Sequence, residues 1–169
     1  MAEGTADAAL VAAQIGREPR GSWRVAERCS FGRPTVIATA SELGDGAPFP
    51  TLFWLTCPWL AGFAGDLESA GAVEEWARRL EHDAELAARL HEADATYREL
   101  RAAESGGSDA CADVGIAGQG RPQGTKCLHA HAAAALAGVA DPVGLGVLDV
   151  VPRECPDDRC AALVDEVGA

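Results

Sequence analysis

A change of pattern at Pro58 constrains this chain more than any other feature. Before it, β-branched and aromatic residues gather in short runs separated by glycine- and proline-rich turns. After it, alanine, leucine and charged residues recur at three- and four-residue steps. The first pattern is that of strands, whose side chains alternate across a pleat, and the second that of helices with one apolar face. Strands followed by helices, with no alternation between the two, give an α+β domain.

Trp23 and Val25 alternate with polar neighbours and open a first strand. Residues 35–39 are rich in β-branched side chains and form a second, and residues 51–56 are apolar enough to form a third in the sheet. The turn-rich stretches 29–34 and 44–48 are short, so the three strands are expected as an antiparallel meander. A helix over residues 6–15 precedes them, closed by Gly16 and Pro19. Helices are expected over 60–70, 73–80 and 84–104, with a break at His82 and Asp83. In the last, Leu86, Leu90, Ala93, Tyr97 and Leu100 share one face. Arg78, Arg79, Glu81, Glu85, Arg89 and Glu92 read as a solvated face, with His82 and His91 at the surface. A glycine-rich loop over 113–124 leads to Thr125, placed to cap a helix over 126–137 that Gly138 stops. Asp141-Pro142 opens one more helical turn, and the polar tail 152–169 is expected to be loosely ordered. The fold expected is therefore a single α+β domain over residues 1–169, with a small three-stranded antiparallel meander packed against several α-helices.

Charge removes some functions. With 26 acidic and 14 basic residues the net charge is −12, and the basic residues form no long run, so nucleic acid is not an expected partner. The longest uncharged small-residue stretch, 130–140, is about half of the roughly 20 residues that cross a bilayer, so no membrane insertion is expected. Residues 1–7 have neither the basic nor the apolar region of a signal peptide, and the expected location is cytoplasmic. In a reducing cytosol, six cysteines are thiols or metal ligands rather than disulfides.

The chemistry-bearing residues gather in four places. Cys127, His129 and His131 follow the glycine-rich loop at an expected helix start, where unpaired N–H groups stabilise a thiolate. Cys57 ends the third strand and precedes a helix. Cys29 sits in a turn that resembles half of a zinc knuckle. In a meander, strands one and three run in the same direction, so Cys29 and Cys57 reach the same edge of the sheet. A helix carrying Cys127 and a histidine could complete a tetrahedral Cys3His site there. Cys155 and Cys160 are spaced more loosely than a metal knuckle and read as an exposed thiol pair or an adventitious disulfide. The loop around Gly115, Gly118, Gly120 and Gly124 could cradle an anion, but it lacks the ending of a P-loop and reads as a plain flexible loop.

Three strings together resemble the domain of unknown function 501 family, common in actinobacteria: Arg28-Cys29 with Gly32 and Pro34, the run from Pro48 to Pro58, and Lys126-Cys127-Leu128-His129 leading to Leu136-Ala137-Gly138. Asp141-Pro142-Val143-Gly144 looks like the family's Asn-Pro-x-Gly element, and the likeness covers roughly residues 15–146. The chain departs from some relatives in having Phe31 in place of a second cysteine and Ala134 in place of a further histidine. The resemblance implies no reaction. It implies a genomic setting near enolase, a septum-formation protein and an exopolyphosphatase.

Three functions follow as expectations. The first is a small binding or regulatory module whose Cys29, Cys57, Cys127 and His129, with His131 as substitute, hold zinc or, as the alternative, an iron–sulfur cluster. The second is a scaffold that engages a protein partner in cell envelope or division control. The third is a thiol enzyme with Cys127 as nucleophile and His129 or His131 as base.

Overall fold

The computed structural model describes residues 2–121 and 124–167. Helix α1 (Ala2–Ile15) leads into strands β1 (Trp23–Arg28), β2 (Pro34–Thr39) and β3 (Phe53–Leu55). Helices α2 (Pro58–Ser69), α3 (Ala72–His82) and α4 (Ala84–Glu104) follow. After a single 3-10 turn at Ile116–Gly118 come α5 (Leu128–Leu136), α6 (Pro142–Val150) and α7 (Cys160–Val167). The strands pair antiparallel in the order β1-β2-β3, the expected meander. The ends of β1 and β3 therefore lie at the same end of the sheet, where Thr56 donates its N–H to Thr35 O at 2.9 Å.

All six residues of β2 are buried, so the sheet is covered on both faces. Val36 and Ala38 face the main core with Phe53, Leu55, Leu90, Tyr97 and Leu128. Helix α1 packs on β2, with α7 laid against it. Tyr97 ties α4 to the sheet: its hydroxyl oxygen accepts the N–H groups of Leu52 (2.7 Å) and Phe53 (3.3 Å), and burial pushes its pKa up to about 12.

Four details differ from the sequence expectation. Helix α4 turns inward at Arg101, not Leu100, which is 40% exposed. The Arg101 guanidinium is fully buried, and it donates to the Asp109 carboxylate and to the carbonyls of Pro50, Cys111 and Val114. A buried arginine is tolerated only when its donors are met, and here they organise the loop after α4. The tail is not loose throughout: Cys160 is buried, and α7 is packed on α1. Thr125 does not cap α5, since the N-cap is Cys127. Residues Pro142–Val150 form a full helix rather than one turn, started by Asp141, whose Oδ1 accepts the Val143 N–H at 3.0 Å.

Helix α5 is nearly all alanine on its buried faces, and α6 closes on it to backbone distance. A Cβ built on Gly144 would stand 2.1 Å from His131 O and 2.8 Å from the Ala135 Cβ. Backbone cannot step aside for a methyl group. We predict that Gly144→Ala destabilises the fold by on the order of 2–3 kcal/mol, read as a lowered urea midpoint at unchanged m-value.

Candidate functional site

Burying α5 creates a problem at its start. The first N–H groups of a helix have no partner within it, and here water has little access. The N-cap residue Cys127 makes no capping hydrogen bond with its side chain. The acceptor comes instead from the last turn of α2: Glu68 Oε1 accepts the Leu128 N–H at 2.7 Å. The same oxygen takes the ring Nδ1–H of His129 at 3.0 Å. One carboxylate thereby caps the helix and fixes an imidazole, one residue beyond the helix start.

Glu68, Cys127 and His129 each offer a ligand atom, and these atoms lie within 4.8 Å of one another. Among the described residues they are the one such group of three or more. Their charges support one another. The hydrogen bond to Cys127 holds the His129 imidazolium, against its burial, and Glu68 adds its own bond and charge, raising the pKa to about 9. Burial pushes the Glu68 carboxyl up, but the hydrogen bond and charge of His129 and the N–H groups of Leu128 and His129 outweigh it, so it titrates below the usual range.

The group opens on a groove of about 490 Å³. Its walls include Phe53 and Trp54 from β3, Thr56 just after it, Ala117 from the loop, Gln14 from the end of α1 and Arg17 just beyond it. Two buried polar atoms in these walls, Trp54 Nε1 and Gln14 Oε1, have no hydrogen-bond partner. The Arg17 guanidinium lies over the Trp54 ring at 5.2 Å. The chamber is therefore largely apolar with a few polar points, the usual make-up of a small-molecule site.

The other expected ligands are placed elsewhere. His131 is 1% exposed, and both ring nitrogens are engaged: Nδ1–H donates to Asp141 Oδ2 at 2.6 Å, and Nε2 pairs with Thr125 Oγ1 at 3.0 Å. It locks the start of α6 to α5 and does not join the Cys127 group. Cys29 follows β1 in its turn and Cys57 is the N-cap of α2; both stand outside the group around Glu68. The glycine-rich loop is not a plain flexible one: it closes on a carboxyl group of the chain itself. Asp94 of α4 accepts the Ile116 N–H at 2.8 Å, and a Cβ at Gly115 would fall 2.2 Å from its carboxylate oxygen. Glu68 carries no local sequence signal. It lies 60 residues from Leu128 and sits at a helix end among other polar residues.

The profile of the family described as Protein of unknown function (DUF501) matches residues 25–149. The chain belongs to that family. No curated protein and no solved structure matches the chain. The family stretch holds all of Glu68, Cys127, His129 and the Thr125–His131–Asp141 network, so the site is built within the DUF501 domain. Among the described residues no helix is long and apolar enough to cross a membrane.

The pH dependence follows with its sign. His129 binds its proton more tightly folded than unfolded, where the ordinary value is 6.5. Its contribution to stability is complete below about 6.5, declines as pH rises, and is gone above about 9. We expect the His129 ring to titrate near 9 by NMR, and Cys127→Ala or Glu68→Gln to bring it back toward the ordinary range. An unshifted midpoint in both variants would remove the coupling argued here.

Proposed function

We propose that the DUF501 domain performs thiol chemistry in the groove, with Cys127 as nucleophile, His129 as acid and base, and Glu68 positioning the imidazole. The observation that carries this reading is the juxtaposition at His129: its Nδ1 bonds Glu68 at 3.0 Å, and a hydrogen bond to Cys127 holds the imidazolium. A cysteine at a helix start beside an imidazolium is the setting in which a thiolate persists at neutral pH. The chemistry that uses both partners is acyl transfer from a largely apolar ester or thioester. Sγ forms a bond to the acyl carbon, and the leaving oxygen or sulfur takes the proton of the His129 imidazolium. Water, deprotonated by the now neutral imidazole, then attacks the acyl carbon, releases the acid and regenerates the thiolate and the imidazolium. The apolar groove suits the acyl chain.

A second reading has the same three residues hold a divalent metal, zinc by the mixture of sulfur, nitrogen and oxygen donors. Its support is the mutual 4.8 Å approach of one ligand atom from each. Metal present in the purified protein and lost in Cys127→Ser would favour it over the first.

Thiol reactivity tests the first reading directly. Cys127 is of intermediate exposure, so reagent can reach it. With iodoacetamide at pH 7 and peptide mass mapping, Cys127 should react about tenfold faster in the folded chain than in the urea-unfolded chain, and His129→Ala should abolish the difference. Equal rates in the folded and unfolded chain would overturn the nucleophile assignment.

A further inference from the structure

The groove beside Cys127 is charged against the rest of the chain. The sequence holds 26 acidic residues, yet among the described residues no aspartate or glutamate lines the groove. The lining carries one permanent charge, the guanidinium of Arg17. Arg17 is exposed, so this charge stands at the rim, where a ligand arriving from water meets it first. Arg24, Arg28, Arg33, Arg101 and Arg159 each hold an aspartate or a glutamate. Arg17 holds none among the described residues, and its guanidinium is set over the Trp54 ring at 5.2 Å. A guanidinium so placed still presents N–H donors in the planar fork that matches a carboxylate.

The position of Arg17 relative to Cys127 sets the shape of the ligand. Side chains of a strand alternate between the two faces of its sheet. Phe53 and Leu55 belong to the main core with Leu128 of α5, so Trp54 between them projects from the other face. Arg17, over the Trp54 ring, belongs to that other face, while Cys127 and His129 stand at the start of α5 on the core side. In the order β1-β2-β3 the third strand is an edge, and the groove is lined by Phe53, Trp54 and Leu55 in succession. A lining that takes consecutive residues of a strand passes round its edge rather than over one face. The guanidinium is therefore on one side of β3, the thiol is on the other, and the walls between them are largely apolar.

We propose that the groove selects an acyl group that carries its own carboxylate, a monoester or monothioester of an aliphatic dicarboxylic acid, with the distal carboxylate on Arg17 and the reacting carbonyl at Cys127. The choice of which end reacts rests on the acyl-transfer reading above, and the choice of a carboxylate rests on Arg17. A neutral chain of the same length would fill the apolar walls and leave the guanidinium to water. A carboxylate adds charged, paired hydrogen bonds at that end. The net change is ester and water to diacid and alcohol: the bond from Cys127 Sγ to the acyl carbon forms and is then broken by water, with no oxidation or reduction.

Binding is tested by calorimetry on the full chain carrying Cys127→Ala, which cannot consume the probe. Monomethyl suberate and dimethyl suberate differ by one charge, and the adipate and sebacate pairs vary the length. In at least one pair the monoester should bind about tenfold tighter than the diester, and added salt should erode that preference. In the same background Arg17→Gln should remove the preference and its salt dependence, and Arg17→Lys should restore part of it. Arg20→Gln, at a nearby arginine outside the lining of the groove, should keep the preference. Equal affinity for monoester and diester at every length, no binding of either, or a preference that survives Arg17→Gln would each overturn the proposal. Hydrolysis of the monothioester of the same acid by the chain with Cys127 intact is a separate readout. An Arg17-dependent preference without turnover would leave the carboxylate selection standing and sink the acyl-transfer reading.

Discussion

The structure turns on the burial of α5. Leu128, Ala130, His131, Ala132, Ala133 and Ala134 are all buried, so this helix is enclosed along most of its surface. An enclosed helix cannot leave its first N–H groups to water, and each unmet donor would cost about 1–3 kcal/mol. Glu68 meets that need from α2. Meeting it fixes where a carboxylate must stand, one residue from Cys127, and the imidazole of His129 then falls on the same oxygen. The site is thus a by-product of a packing demand: the chemistry-bearing trio assembles where the helix start had to be satisfied. That origin also gives it rigidity, because Glu68 cannot move without undoing the cap.

The same logic runs through the rest of the core. His131 on α5 is too polar to bury alone, and its two nitrogens are met by Thr125 before the helix and Asp141 after it. Asp141 in turn starts α6, which is pressed onto α5 at Gly144. Asp94 on α4 is satisfied by the loop that Gly115 opens, and Arg101 two turns further along the same face by three carbonyls and Asp109. Each buried polar group here serves as a fixed joint between elements that apolar packing alone would leave free to slide. A half-met network of this kind is worse than an apolar core, so its members are constrained together.

Much of this was legible in the sequence, where the signal is local. The two periods separated strands from helices, and the meander followed from turn length. Helix α4 was bounded correctly because Asp83 and the glycines after Ser105 mark its ends, and Asp83 does accept the Leu86 N–H. Convergence across the chain was not legible. Nothing near Glu68 distinguishes it from Glu74 or Glu75, and its role depends on a helix 60 residues away. Leu100 was expected on the apolar face of α4 and Arg101 carried no signal, because periodicity cannot say that a guanidinium will find five acceptor positions inside. The pair Cys155 and Cys160 looked exposed because its neighbours are charged. Those charges turned out to be the tethers: Glu154 holds Ser30 and Asp158 holds Arg33.

The cysteines then separate by what surrounds the sulfur. Cys127 stands at a helix start beside the His129 imidazole, which Glu68 holds in place. Cys57 and Cys160 are buried, and burial pushes both thiols up. One residue type thus meets two environments in this fold, and the difference is set by the carboxylate that α5 needs at its start.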